Sequence, residues 1–504
     1  MLQSLQIGPW TGGLRTDIPV EEVAAHELSA MQNAHIGTAG EVFTPPGAAS
    51  YGSAAALATG PTLTMAFEFK KDASTTYVLI AAGAALYKYS SGWSAITGTT
   101  TLTAGDDNVW ERVNCNGTFV MTNGVDTDAI KWTGTGNAAA LDDDARFSKA
   151  KHCAWFDNRL WMGNVNGATG QLWFSDTADI ETWGATSYFN FGGIITGLVP
   201  TQNSLSVHTT DGLYTLIPTG NATLPYHPQK RTDKAGLSGL SCVALPDDTQ
   251  LMILGDGVYQ WEGGATLRKV SPQLDGRTGY WSKLNPDRLF RAFAVRLPNT
   301  SIVAFALPYG SSQTNMNHVM FYDYRRLTKI NGELVGTWFG PDTGWERSCA
   351  AVIDGKLHMG DFDGYLWDHE ANTYSWGGNS ISSFFETGAP PAYRFDVTVA
   401  WISGRHHIMA TGDYSLSVLQ KGREIQGELQ LLDLSGNTLT LPDDIPGLIS
   451  DPIQTSQDLP LLGFAPQCSI RYSMIAVGQE YEVRRADLWW DGPERTTQPN
   501  TVDE

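Results

Sequence analysis

The chain has 504 residues, with 53 glycines, 24 prolines and 11% aromatic side chains spread along it. A single compact core stops growing at roughly 250–300 residues, so this length implies several domains or a repeat architecture. Its 33 basic against 53 acidic side chains leave a net charge of −20, which argues against a surface built to neutralise a phosphate backbone.

Five cysteines, Cys115, Cys153, Cys242, Cys349 and Cys468, are far apart and never form C-x-x-C, which argues against a disulfide scaffold or a structural zinc site. The opening MLQSLQIGPW has neither the basic flank nor the apolar stretch of a signal peptide, and the longest nearly apolar run, 77–86, is too short to span a bilayer. These features predict a protein made and kept in a reducing cytoplasm, without membrane insertion.

Residues 1–50 read as an arm. After a Gly-Gly turn at Gly12 and Gly13, Asp17 is placed to cap a helix with Pro19 in its first turn, and Val23, Leu28 and Met31 supply apolar positions along PVEEVAAHELSAMQNA. The arm ends in GEVFTPPG, whose prolines forbid a continuing helix or a central strand.

Residues 51–370 carry the dominant signal, a strand-turn-strand unit built around an aromatic. It reads ALYKYSSGW from Ala85, DAIKWTGTG from Asp128, QLWFSD from Gln171, GLYTLIPTG from Gly212, GVYQWEGG from Gly257 and GYLWDHE from Gly364. Taking Leu86, Ile130, Leu172, Leu213, Val258, Met320 and Leu366 as equivalent gives steps of 44, 42, 41, 45, 62 and 46, the long step marking an insertion near Arg277 to Asn317. A period of about 40 residues is that of a four-stranded blade, which cannot bury both faces alone. The expected fold is all-β: a propeller of six or seven four-stranded blades with a short N-terminal helical arm and an appended C-terminal β-domain. In residues 371–492 the period fades, but YRFDVTVAWISG and CSIRYSMIAVGQEYEVRRADLWW still read as strands, one of which is a candidate to close the ring. Residues 493–504 are polar and read as a loose tail.

No motif carries chemistry. SDTADIETW (Ser175 to Trp183) resembles a sialidase Asp-box, but its spacing is irregular, its glycine is missing and it does not recur, so it reads as a turn with Trp183 docked into a blade. GDFDGYLWD (Gly360 to Asp368) lacks the further oxygen ligands of a calcium loop and reads as an Asp-Gly hairpin turn. No metal, cofactor or catalytic residue is expected. Basic residues gather in HPQKRTDK, YRRLTK and VRRAD; the bland account is solvated strand ends, and the sharper one is pairing between acidic protomers through Arg231, Lys234, Arg325 and Arg326.

The order of segments resembles a known family. GGLRTDIPVEEVAAHELSAMQNAHIGTAGEVFTPPGAASYG is similar to the opening of tailed-phage virion proteins, with Gln32, Asn33 and Thr44 standing where that pattern has other residues. AWFDNRLWMGNVNGATGQLWFSDTADIETW, ITGLVPTQNSLSVHTTDGLYTLIPTG and LRKVSPQLDGRTGYW are similar to its successive blades. The layout over residues 8–370 resembles the tail hub or nozzle (tail tubular) proteins of short-tailed double-stranded DNA bacteriophages. The resemblance implies a non-enzymatic virion structural protein: a homo-hexameric ring below the portal and adaptor protein, with tail fibres as further partners, assembled in the host cytoplasm. Genomic DNA would be retained and then passed through the lumen without specific binding. The alternatives from other classes are a propeller glycosidase, which needs converging carboxylates, and a glycan-binding adhesin, which needs aromatic loops stacking on sugars.

Overall fold

The computed structural model describes residues 2–52, 61–141, 145–221, 224–330, 332–389, 399–410, 415–420, 423–426, 453–465 and 469–491. Seven four-stranded antiparallel sheets follow one another along the chain. Blades 1 to 6 span residues 63–95, 111–140, 152–190, 195–232, 242–269 and 293–342, and blade 7 takes three strands from residues 349–368. The first strands of the blades touch in order, and that of blade 7 touches that of blade 1, so the sheets close into a seven-bladed propeller. All seven positions aligned in the sequence, Leu86 to Leu366, lie on the third strand of their blades. Their repeat is therefore the repeat of the blade itself.

Blade strands are apolar on both faces because each sheet is covered by a neighbour on either side. The second strand of blade 1, Thr76–Ala82, is buried from Val78 onward without alternation. Apolar clusters fill the seams: Phe69 and Trp132 between blades 1 and 2, their rings 5.5 Å apart, and Trp161 against Tyr226 at 4.8 Å between blades 3 and 4. The extra residues of the long step form three 3-10 turns, Pro272–Leu274, Trp281–Lys283 and Pro286–Arg291, so the insertion begins before Arg277, and Phe293–Arg296 and Ile302–Leu307 of the expected stretch are strands of blade 6.

Two expectations are corrected. Blade 7 receives its fourth strand from Ala49–Ser50 and not from the C-terminal region. This two-residue strand is reinforced by the bond from Tyr51 N to Leu366 O (2.7 Å) and by the Tyr51 ring, which lies 5.1 Å from His358 of blade 7 and 5.2 Å from Tyr89 of blade 1. The helix expected from Asp17 is also absent: the segment forms a single 3-10 turn, Val20–Glu22, and then a strand, Glu27–Gln32. The spacing of Val23, Leu28 and Met31 fits a helical face, but Glu27–Gln32 pairs antiparallel with Ile381–Thr387, and that distant partner satisfies its backbone in the extended state.

The two ends of the chain build a second body of two six-stranded sheets. In one, Leu2–Ile7 and Val399–Ala410 flank Tyr481–Asp491; in the other, Glu27–Gln32, Ile381–Thr387 and Ser469–Ala476 lie side by side. Trp10, fully buried, packs edge-on against Phe385 at 5.1 Å, and Phe385 stacks on Tyr472 at 4.7 Å. Ile408, Val483 and Leu488 of the facing sheet join the same core, which continues into blades 5 and 6.

The junction with blade 6 is polar at its centre. Asp342, fully buried, accepts from His35 Nε2 at 3.1 Å, with His369 Nε2 3.7 Å away. Burial pushes the Asp342 carboxyl up, but His35, His369 and Arg347 outweigh it and hold the group below the ordinary carboxylate range. Gly13 of the sequence's Gly-Gly turn sits at φ +78°, and a Cβ there would lie 2.5 Å from the Trp338 carbonyl, so only glycine lets the arm approach the blade.

Candidate functional site

The first strands of the blades surround the propeller axis and leave a cavity of about 280 Å³, lined among others by Glu111, Arg112, His152, Cys242, Arg291 and Cys349. Glu111 and His152 open the first strands of blades 2 and 3, and His152 Nδ1 lies 2.8 Å from Glu111 Oε1. Arg112, one residue on, turns the other way and donates from Nη2 to the Ala350 carbonyl of blade 7 at 2.8 Å. Burial holds its guanidinium below the ordinary arginine range.

One rim of the cavity is strapped. Asp107, between blades 1 and 2, receives Arg288 Nη2 at 2.8 Å and Arg291 Nη1 at 3.0 Å from the turn that precedes blade 6. Those two connections lie on opposite sides of a seven-blade ring, so the ion pairs bridge across the axis. Asp106 supports the strap through its carbonyl, 2.6 Å from Arg291 Nη1, and through its carboxylate, 2.6 Å from Thr62 Oγ1.

The thiols and the deep histidine of this region are held neutral. Burial pushes Cys242 up to about 12 and Cys349 up to about 11, so neither is a thiolate at neutral pH. His208, fully buried, accepts from Gly236 N at Nδ1 (3.1 Å) and is pulled down to about 4 by burial. The arrangement suits electrostatic holding of a ligand and not thiolate attack.

The four residues singled out in the sequence lie elsewhere, on blades 4 and 6 with blade 5 between. Arg231 and Lys234 line an open groove of about 630 Å³ between the outer edge of blade 4 and blade 5. Arg231 Nε donates to Thr215 Oγ1 at 2.7 Å, and Lys234 Nζ stands 5.3 Å over the Tyr259 ring. On blade 6, Arg326 pairs with Asp323 at 3.6 Å and reaches the Ile36 carbonyl at 3.5 Å, while Arg325 lies against its neighbour Tyr324. The structure thus brings together the members of each pair but not the two pairs.

Both doubtful motifs are turns. Asp361 Oδ1 accepts from Asp363 N and Tyr365 N at 2.9 and 2.8 Å, and its Oδ2 accepts from Trp367 Nε1 at 2.7 Å, so its oxygens serve the hairpin. Trp183 is buried 4.5 Å from Phe147. The residues missed by sequence reasoning are those of the axis, Glu111, Arg112 and His152. They form no motif; the only signal is that Glu111 and His152 recur at one position of successive blades.

Fold and cavity together define a seven-bladed β-propeller protein with an axial cavity of mixed polar and apolar lining and a two-sheet body that joins N- and C-terminal segments of the sequence. No family model matches the chain, and no curated protein matches it. Among solved structures, it is similar to the computationally designed Ika8 protein, at 14% identity and a TM-score of 0.36 over 61% of this chain and 96% of that one. It is also similar to a streptogramin B lyase, at 10% identity and a TM-score of 0.39 over 61% and 93% of the two chains. The third is virginiamycin B lyase from Staphylococcus aureus, at 10% identity and a TM-score of 0.38 over 62% and 94%. No residue role follows from likenesses this distant.

Proposed function

We propose that this chain is a structural subunit of the tail of a short-tailed double-stranded DNA bacteriophage, a nozzle or hub protein that oligomerises into a conduit below portal and adaptor. The single observation that carries the reading is the ordered resemblance of residues 8–370 to that family. The build of the subunit is compatible with it: the propeller is a stiff closed wall, and the strands of both chain ends interlock, so neither end leaves without breaking a sheet.

An axial cavity of about 280 Å³ is below the usual range for a drug-sized ligand, about 300–1,000 Å³, and far too small for duplex DNA. In this reading the lumen lies between protomers, and a chain with a net charge of −20 favours walls that repel phosphates and let the polyanion slide. Arg231, Lys234, Arg325 and Arg326 are proposed to meet carboxylates of the next protomer or of the adaptor. Native mass spectrometry with negative-stain imaging tests this: a six-fold toroid that joins adaptor rings is expected. A chain that stays monomeric at every concentration and never joins an adaptor ring would overturn it.

A further inference from the structure

Among the described residues, the axial cavity holds a cation, Arg112, with no ion-pair partner. Two carboxylates line it, and both are engaged: Glu111 by His152, and Asp107 by Arg288 and Arg291. Glu111 attracts the neighbouring Arg112, but among the described residues the Arg112 guanidinium makes one hydrogen bond, to the Ala350 carbonyl, and no carboxylate lies within ion-pair distance. Lys151, exposed, adds a third positive charge to the lining, beside Arg112 and the Asp107-paired Arg291. Arg112 is half-buried, and a guanidinium whose remaining donors face a cavity is placed to take an anion from outside the chain.

We propose that the axial cavity is a binding site for a small organic carboxylate, held by Arg112. The guanidinium fork matches a planar carboxylate, and one hydrogen bond to Ala350 leaves most of its five donors available. The lining also includes Leu240, Phe290, Phe293 and Val295, an apolar wall against which a hydrocarbon or aromatic body can pack. That wall, with Glu111 and Asp107 nearby, disfavours a compact, doubly charged anion such as phosphate. This site is independent of the oligomeric role proposed above, since it lies wholly within one propeller.

The test uses the full-length protein, with benzoate, its neutral counterpart benzamide, and inorganic phosphate as probes, read by isothermal calorimetry and thermal melting. Benzoate is expected to bind and to raise Tm with concentration, benzamide and phosphate to do neither. Arg112→Met should weaken benzoate roughly ten- to a hundredfold, the range of one or two charged hydrogen bonds. Without ligand, its Tm should equal or exceed that of the parent, because an unpaired charge is gone; a structural arginine would give a lower Tm. Arg112→Lys keeps the charge without the fork and should bind benzoate with intermediate affinity, which tests the site even where the methionine variant does not fold. Equal responses to benzoate and benzamide, preference for phosphate, no response to any probe, or unchanged benzoate affinity in Arg112→Lys would each overturn the proposal.

Discussion

The propeller and the two-sheet body solve the same problem, burying sheet faces, by opposite routes. Each blade pairs strands adjacent in sequence, so its hairpins form locally and only ring closure is distant. The two-sheet body pairs Leu2–Ile7 with Tyr481–Asp491 and Glu27–Gln32 with Ile381–Thr387, so its defining partners lie hundreds of residues apart. Local pairing leaves a periodic trace in the sequence, while distant pairing leaves almost none, and the energetic weak points of the two parts differ accordingly.

The largest effect is expected in the body made from the chain ends. Trp10→Ala removes a fully buried indole set against Phe385 and Tyr472 and should cost about 3–5 kcal/mol, with the two sheets losing hydrogen-exchange protection before the blades. Loss of protection in both parts at once would show that they are one cooperative unit. Asp342→Ala, at the junction, strips His35 of its acceptor and should cost about 3 kcal/mol in urea unfolding. In the propeller, Tyr51→Ala loosens the seam between blades 7 and 1 and should cost about 2 kcal/mol, seen first as exchange in those two blades.

Acid sharpens the comparison further. Burial pulls His208 and His369 down to about 4 and His318 down to about 3, whereas in the unfolded chain they titrate near 6.5. The unfolded state then takes up the extra protons, so stability should fall as pH drops from about 6.5 toward 4. His208→Gln should flatten that fall in urea titrations, and an unchanged slope would contradict the neutral histidine. The smallest effect on the monomer belongs to Lys234→Ala in the open groove, within about 0.5 kcal/mol, yet it should weaken oligomer assembly measured by sedimentation.

The legibility of the sequence follows the same division. Leu86, Ile130, Leu172, Leu213, Val258, Met320 and Leu366 could be aligned because hairpins with Gly-containing turns repeat wherever a blade repeats. The closing strand Ala49–Ser50 is too short to carry a period, and Glu27–Gln32 was indistinguishable from a helix until its partner at Ile381–Thr387 was known. The axial residues Glu111, Arg112 and His152 were illegible for another reason: Glu111 and Arg112 lie on the first strand of blade 2 and His152 on that of blade 3, and only the packing of one blade on the next makes them neighbours.

The pairing of Leu2–Ile7 with Tyr481–Asp491 also sets an order of events on the ribosome. Six blades can collapse as they emerge, but Leu2–Ile7 waits, its edge unsatisfied, until Tyr481–Asp491 has been made. Nascent chains stalled after blade 6 should therefore display a sticky amino-terminal ribbon, a natural target for holdase chaperones and a ready source of premature association between neighbouring copies on one messenger.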